Sequence, residues 1–227
     1  MTRLPAALLA GAVLALLTAC GGSSSGAGDN PIVAKNSNGP SSCPAVPTPS
    51  ATPQQYANEP AMCIQPAAYT ATIKTNQGTI VATLDGAKAP HTVNSFKFLA
   101  DHGYFDHSPC HRLVTQGIFV LQCGDPTGTG TGGPGYTIPD ENLTGATYPA
   151  GTLAMANTGQ PHTGGSQFFF CYADTPLPPQ YTPFGHVTQG LDVLKAIAAK
   201  GEDDSNGAGD GKPKKPVIIE SFTVAKA

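Results

Sequence analysis

The stretch YTATIKTNQGTIVATL, residues 69–84, indicates the fold class of this chain. It contains two runs rich in β-branched residues, 69–75 and 79–84, joined by Asn76-Gln77-Gly78. β-Branched side chains favour extended backbone, and a glycine can adopt the positive φ that a tight hairpin turn needs. The stretch therefore predicts an antiparallel β-hairpin.

Similar short strands follow along the chain, and only two helical patterns interrupt them. The first helix is predicted to start at Ala89-Pro90 and to end at Gly103, with apolar residues at helical spacing between them. The second helix is predicted at 191–199. Many strands with two widely separated helices are typical of a mainly β antiparallel barrel whose ends the helices cover. The other predicted strands are 111–115, 118–123, 152–156, 167–172, 184–187 and 217–224.

The first 19 residues have the pattern of a secretory signal peptide. Arg3 provides the positive charge, and the apolar segment 4–17 is too short to span a bilayer, which needs roughly 20 residues. Cys20 follows Leu-Thr-Ala, which resembles the bacterial lipobox, so we expect its lipidation and attachment to the outer face of the cell membrane. The alternative is an ordinary signal peptide with a chance cysteine.

Residues 20–67 are rich in Ser, Gly and Pro and predict a flexible spacer ahead of a folded domain at 68–227. Within the spacer, Cys43 and Cys63 could form a disulfide in an exported chain, although isolated thiols remain the alternative. Removing Arg3 leaves eleven basic and fifteen acidic residues, a net charge near −4. This charge argues against nucleic acid as the main partner.

The usual catalytic and metal-binding motifs are absent from the sequence. There is no Gly-x-Ser-x-Gly, no His-Glu-x-x-His and no phosphate-binding loop, and the glycine-rich run 127–135 predicts a surface loop rather than an anion site. His107, Cys110 and His111 lack a second ligand cluster, so we predict no metal and no cofactor. Cys110 and Cys123 lie at opposite ends of the second hairpin and could form a disulfide.

Two other features of the folded part, a cysteine and an acidic stretch, have no predicted functional role. Cys171 lies in an apolar strand and is predicted to be a buried thiol. The acidic stretch 202–204 lacks the alternating ligands of a calcium loop and predicts a solvated loop. Arg112 differs from these, because it is the single arginine left once the leader is removed. A guanidinium offers five donors in a fixed plane, which the ten lysines cannot replace.

Several motifs in order along the chain resemble those of cyclophilin-type peptidyl-prolyl cis-trans isomerases. Gly165-Ser-Gln-Phe-Phe169 preceded by Met155-Ala-Asn157 is the most specific combination. The resemblance extends from Tyr69 to Val224. The remaining motifs are His111-Arg112, Phe119-Val-Leu-Gln122-Cys-Gly-Asp125, Asp140-Glu-Asn142, Gly151-Thr-Leu-Ala-Met155 and Phe184-Gly185.

The resemblance implies a closed eight-stranded antiparallel β-barrel capped by two α-helices, with an external groove for a proline-containing peptide. Arg112 matches the catalytic arginine of the family. The residues that match its contacts to the substrate backbone are His111, Gln122, Ala156, Asn157 and Gln167. Those that match the pocket for the proline ring are Phe119, Val120, Phe169 and Leu177. Phe119 and Gln122 are three residues apart, so sharing a face requires a bend between them.

This chain departs from the family pattern at two positions of the groove wall. It has no tryptophan, and the position that often holds one falls at Pro176 or Leu177. Tyr181 stands where many members have histidine. We expect weak cyclosporin binding because the indole donor is missing, and a tight inhibition constant in a proline-peptide assay would contradict this.

The expected function is therefore acceleration of X–Pro bond rotation in exported proteins during folding, by a monomer that binds proline-containing peptides and unfolded chains. The rotation barrier is about 18–20 kcal/mol, and a guanidinium can donate to the proline nitrogen once rotation restores its lone pair. The alternative is a catalytically silent proline-peptide binding module or surface chaperone on the same scaffold. Retention of Arg112 favours the enzyme.

Overall fold

The computed structural model describes residues 54–227, which contain ten strands and two helices. This confirms the predicted mainly β class with two helices. The helices are α1 (Pro90–Asp101) and α2 (Leu191–Ala198). The strands are β1 (Ala68–Thr75), β2 (Gly78–Asp85), β3 (Ser108–Pro109), β4 (Arg112–Val114), β5 (Val120–Cys123), β6 (Thr152–Met155), β7 (Phe168–Cys171), β8 (Pro183–Gln189), β9 (Asp210–Gly211) and β10 (Ile218–Lys226).

All ten strands lie in one curled antiparallel sheet of order β3-β10-β1-β2-β8-β6-β7-β5-β4-β9. The prediction of eight strands in a closed barrel was wrong on both counts, because two short strands are added and the sheet is open. The two edges of the open sheet are β3 and β9. Beyond Pro109 the N–H of Cys110 still donates to the carbonyl of Val217 at 2.9 Å, and the chain pairs with β5 from Arg112 onward.

The two predicted hairpins are present. In the first, Thr75 pairs with Gly78, so Asn76 and Gln77 form the turn and Gly78 takes a φ of 139°. In the second, Arg112 pairs with Gln122 and Val114 with Val120. The strand β5 starts at Val120, so Phe119 lies in the preceding loop. The alternation of faces along β5 therefore does not fix the side on which Phe119 lies.

Both helices follow the predicted positions. Helix α1 has Pro90 at its first turn, and the chain turns away at Gly103 with a φ of 66°. Ser95 and Phe96 on α1 are fully buried. Neither helix in the described part of the chain has the length and apolar character needed to cross a membrane.

The main core lies on the inner side of the curled sheet, where strand rows such as Leu113, Leu121, Phe170 and Leu153 meet α1. Six phenylalanines provide much of its volume, and their rings pack at centroid distances of 4.6–6.1 Å. They are Phe96, Phe105, Phe168, Phe170, Phe184 and Phe222. A second, smaller apolar cluster lies on the outer face of the sheet and belongs to the candidate site.

Residues 54–66, here called the N-terminal strap, pack along the folded domain. Asn94 on α1 donates from Nδ2 to the carbonyls of Pro60 and Ala61, and its Oδ1 accepts from the N–H of Cys63. The Tyr56 and Phe98 rings meet edge to face at 4.9 Å. The predicted signal peptide and most of the predicted spacer lie outside the described residues, so those boundaries stay predictions.

Candidate functional site

The site is built on one row of residues that crosses four strands. Strand register places Arg112 opposite Gln122, Gln122 opposite Phe169, and Phe169 opposite Ala154. Directly paired residues project from the same face of a sheet. The neighbouring inner row, which contains Leu113, faces the main core, so the Arg112 row faces outward. Arginine, glutamine and phenylalanine therefore lie side by side on the outer surface.

The carboxylate of Asp210, on β9, binds the guanidinium of Arg112. Nε donates to Oδ1 of Asp210 at 2.8 Å, and Nη2 donates to Oδ2 at 2.5 Å. Nη1 donates to Oε1 of Gln122 at 3.3 Å. The paired hydrogen bonds raise the pKa of Arg112 and lower that of Asp210. The Arg112 side chain remains 37% exposed, so a peptide on the outer face can reach it.

Two glutamine amides continue this hydrogen-bond chain. Nε2 of Gln122 donates to Oε1 of Gln167 at 2.8 Å. Nε2 of Gln167 donates to the carbonyls of Gly130 and Gly132, at 3.0 and 2.9 Å. Gln122 and Gln167, which are both predicted to bind substrate, are therefore hydrogen-bonded to each other. Gln167 is in turn bonded to the glycine-rich loop, residues 127–135.

The glycine-rich loop does surround an anion, and that anion is the chain's own carboxylate. The fully buried Asp125 accepts from the N–H groups of Thr127, Gly130 and Gly132. Burial alone would raise the pKa of Asp125, but these hydrogen bonds and the Thr127 hydroxyl outweigh burial and lower it to about 2. A Cβ at Gly132 would fall 2.0 Å from Oδ1, so only glycine fits there.

An apolar pocket lies next to the arginine on the outer face. The predicted residues Val120, Phe169 and Leu177 share one cluster, and Tyr181 packs against it with its ring 5.6 Å from that of Phe169. Phe119 is the exception. It precedes β5, and its half-buried ring packs against the main core, 6.0 Å from Tyr172. The cluster also contains six residues that are not among the predicted site residues: Val114, Ile118, Ala146, Tyr148, Ala154 and Cys171.

Beyond the glutamines, the outer face opens into a groove of about 930 Å³, whose lining includes Ala156 and Asn157. The Asn157 side chain is engaged within the protein: Nδ2 donates to the carbonyl of Gln180, and Oδ1 accepts from the N–H of Gly159. The backbone N–H and carbonyl of Asn157 have no hydrogen-bond partner among residues 54–227. That backbone can therefore pair with an extended peptide, as in an added strand.

His111 lies beneath the groove, and its environment differs from that of a surface histidine. Neither ring nitrogen has a hydrogen-bond partner within the described structure, and both nitrogens are buried. Burial lowers the pKa of His111, and the charge of Arg112 acts in the same direction while Asp125 opposes it. At neutral pH the imidazole is therefore uncharged.

The structure also locates the predicted cysteines from Cys63 onward. Cys110 and Cys123 form a disulfide across the second hairpin, so the Cys110 sulfur is not a thiolate ligand. Burial raises the pKa of the Cys171 thiol to about 12, which makes it inert at neutral pH. No group of three His, Cys, Asp or Glu residues within 54–227 could hold a metal ion. The predicted lipidation site Cys20 and the predicted disulfide partner Cys43 lie outside the described residues.

Asp210 is the main site residue that the sequence did not indicate. It lies in β9, 98 residues from Arg112, and follows the acidic stretch 202–204 that was predicted to be a solvated loop. That loop is ordered by its own carboxylates: Glu202 accepts from the N–H of Asp204, and Asp204 accepts from the N–H of Gly209. No local pattern distinguishes a carboxylate that organises a loop from one that is only exposed.

Two relatives show what the chain is similar to. A protein of Mycobacterium leprae (strain TN) named probable peptidyl-prolyl cis-trans isomerase B is 47% identical over 171 residues, covering 69% of this chain and 57% of the relative. A protein of the same name from Mycobacterium tuberculosis (strain ATCC 25618 / H37Rv) is 47% identical over 170 residues, covering 69% and 54%. The chain therefore spans little more than half the length of these relatives.

Solved structures and a family model complete the comparison. A crystal structure of a cyclophilin type peptidyl-prolyl cis-trans isomerase of Cryptosporidium parvum aligns with a TM-score of 0.63 and 30% identity, covering 70% of this chain and 99% of that chain. A structure of the same protein in the presence of the dipeptide Ala-Pro aligns with a TM-score of 0.62. The family model "Cyclophilin type peptidyl-prolyl cis-trans isomerase/CLD" matches residues 70–224, well over half of the chain. Because this match covers well over half of the chain, and because the arginine, the glutamines and the apolar pocket lie on one face of a curled sheet, the chain belongs to the cyclophilin-type peptidyl-prolyl cis-trans isomerase family.

Proposed function

We propose that this protein is a peptidyl-prolyl cis-trans isomerase that acts on X–Pro bonds of exported chains. One observation carries the proposal: the Arg112 guanidinium and the Phe169 pocket lie on the same outer face, separated only by Gln122 in the strand register. An apolar pocket beside a fixed cation suits a ligand with an apolar ring next to an amide, which describes a prolyl peptide bond.

The proposed mechanism needs no bond cleavage. Amide resonance keeps the X–Pro bond planar with a barrier of about 18–20 kcal/mol, and rotation returns a lone pair to the proline nitrogen. Arg112 can donate to that lone pair only in the twisted state, so it stabilises the transition state more than either isomer. The pocket around Phe169 holds the proline ring while the Asn157 backbone holds the chain on one side of the bond. Lowering the barrier by about 5–7 kcal/mol gives roughly 10⁴- to 10⁵-fold acceleration.

The pairing of Arg112 with Asp210 supports this role. An arginine side chain has many rotamers, and a bidentate carboxylate restricts it to one plane before substrate arrives. Donors fixed in advance stabilise developing charge or lone pairs without reorganisation. The names of the relatives and the Cryptosporidium parvum structure with Ala-Pro support a proline-containing peptide as the ligand.

An isomerisation assay with Arg112→Lys tests the proposal. The wild type should accelerate rotation of a short X-Pro peptide, and the lysine variant should lose about 10²-fold in kcat/KM because an ammonium lacks the planar fork. Lys88→Arg is the matched control, since Lys88 is exposed in the turn between β2 and α1. Equal rates for wild type and Arg112→Lys would contradict the mechanism. Peptide binding without any turnover would indicate a silent binding module.

We also propose that the protein is exported and attached to the membrane through lipid on Cys20, and that it acts as a monomer on unfolded clients. The support is the leader sequence and the Leu-Thr-Ala-Cys pattern. Expression in a bacterial host should place the wild type in the membrane fraction and Cys20→Ala in the soluble exported fraction. Identical fractionation of the two proteins would contradict the proposed lipid anchor.

A further inference from the structure

The N-terminal strap, residues 54–66, precedes the part of the chain that matches the family, which starts at residue 70. It is nevertheless fixed to the domain, and two of its attachments bear on the groove. The first is α1, where the fully buried Asn94 bonds to the strap backbone at Pro60, Ala61 and Cys63. A buried amide that satisfies three backbone groups orders this part of the strap.

The second attachment joins the strap to the glycine-rich loop at the groove. The N–H of Tyr56 donates to the carbonyl of Pro134 at 2.8 Å, and Nε2 of Gln55 donates to the carbonyl of Gly133 at 2.7 Å. The approach is close, because a Cβ at Gly135 would lie 2.6 Å from the carbonyl oxygen of Tyr56. Gln55 is exposed and lines the groove together with Gln122 and Asn157.

The chemistry of this end of the groove is polar and uncharged. Its lining contains hydroxyl groups, amides and glycine backbone, and no Asp, Glu, Lys, Arg or His. Oε1 of Gln55 has no hydrogen-bond partner among the described residues and can accept one from a ligand.

We propose that the N-terminal strap forms one wall of the substrate groove and that Gln55 is a specificity-determining residue. It would favour an uncharged hydrogen-bonding side chain at a position of the peptide away from the proline. The inference rests on the proposed function, since it concerns the same groove.

A charge exchange at Gln55 tests this directly. Ten-residue peptides with one proline would carry Lys or Glu at each flanking position in turn, and kcat/KM would be measured for wild type, Gln55→Glu and Gln55→Lys. At one position remote from the proline, Gln55→Glu should raise the Lys-to-Glu preference about two- to fivefold, as for an exposed ion pair, and Gln55→Lys should reverse it. Asn58→Glu is the control, because Asn58 is exposed on the same strap without a side-chain partner.

The outcomes separate the two proposals. Peptide affinities measured by fluorescence anisotropy provide the ratio of Lys-peptide to Glu-peptide binding, and this measurement does not require turnover. If no position changes its ratio in either Gln55 variant, or if Asn58→Glu gives the same change, the strap is not part of the substrate site. If the two Gln55 variants bind these peptides with the expected charge response but the wild type fails to isomerise a short X-Pro peptide, the proposed function is contradicted and the strap inference is supported.

Discussion

Arg112 depends on a residue far away in the sequence for its orientation. Strand β9 pairs with β4 through Val114 and Leu113, and this pairing brings Asp210 beneath the guanidinium. Asn206 also donates to Oδ1 of Asp210 at 3.1 Å, which fixes the carboxylate itself. Two of the three guanidinium nitrogens thus face a rigid acceptor. We therefore treat Asp210 as a positioning residue rather than a catalytic one.

Asp210→Asn should lower kcat about 10- to 100-fold and change KM little, because an amide offers one acceptor oxygen in place of two and the arginine loses its fixed plane. The measurement is the full kinetic curve for a prolyl peptide. Asp203→Asn is the matched control, since Asp203 accepts from Ser205 and from the N–H of Lys212 and has no hydrogen bond to Arg112. Equal kinetic effects of the two substitutions, or a change confined to KM, would contradict the positioning role.

At the level of single residues, the structure joins Arg112, Gln122 and Gln167 by hydrogen bonds. Motif order predicts these three residues and Asn157 as parts of the site. It placed Phe119 in the proline pocket, where the structure has Phe119 against the main core and Ile118 in the outer cluster. This difference in placement has a physical cause. The residues before a strand have no fixed alternation of faces, so which of two neighbouring apolar side chains points outward is set by the loop.

Helix α1 shows how an element can be completed by a distant side chain. Its N-cap residue, Ala89, has no side chain that could bond to the first free N–H groups. Glu141 replaces the missing cap: Oε1 accepts from the N–H of His91 at 3.0 Å, and Oε2 accepts from the N–H of Thr92 at 2.9 Å and its hydroxyl at 2.8 Å. A carboxylate there also interacts favourably with the helix dipole.

Glu141→Gln should lower the free energy of unfolding by about 1–2 kcal/mol, because it removes the charge and one of two acceptor oxygens from a helix N-terminus. Urea unfolding followed by circular dichroism measures this. Asp192→Asn removes an exposed carboxylate from the first turn of α2 and serves as the comparison, with an expected change of about 0.5 kcal/mol or less. If Glu141→Gln were as mild as Asp192→Asn, the cap would contribute nothing beyond a surface charge.

At the level of elements, both helices and the longer strands could be predicted to within a few residues from periodicity and turn residues. The two-residue strands β3 and β9 could not. Ser108 and Pro109 become a strand only because Ile218 and Ile219 lie opposite them, and Asp210 and Gly211 only because β4 does. A two-residue strand is too short to show an alternation of polar and apolar side chains, so its pairing with a distant segment cannot be predicted from the sequence. These two short strands are also the edges at which the sheet stays open.

Across the whole molecule, one hydrogen-bonded path joins the arginine to the N-terminal strap. It runs from Arg112 through Gln122 and Gln167 to the glycine-rich loop, and the strap bonds to the far side of that loop. The loop keeps its shape by folding around the Asp125 carboxylate. The charge state of one buried side chain therefore supports both the groove and the attachment of the strap.

This arrangement predicts how stability depends on pH. The pKa of Asp125 is lowered from 3.8 to about 2 in the folded protein, so its contribution is complete above pH 3.8 and is lost as the pH falls through 2. A shift of this size corresponds to about 2 kcal/mol. The pKa of His111 is also lowered from 6.5, so its neutral form adds stability above pH 6.5 that declines as the pH falls below that value.

Urea unfolding of wild type, Asp125→Asn and His111→Gln between pH 8 and pH 2 separates the two groups. Asp125→Asn should be less stable at neutral pH by about 2 kcal/mol, and its disadvantage should shrink between pH 4 and pH 2, because the wild type loses the carboxylate there as well. His111→Gln should lack only the decline that begins near pH 6.5. A constant difference between wild type and Asp125→Asn down to pH 2 would mean that the loop does not depend on the charge of Asp125.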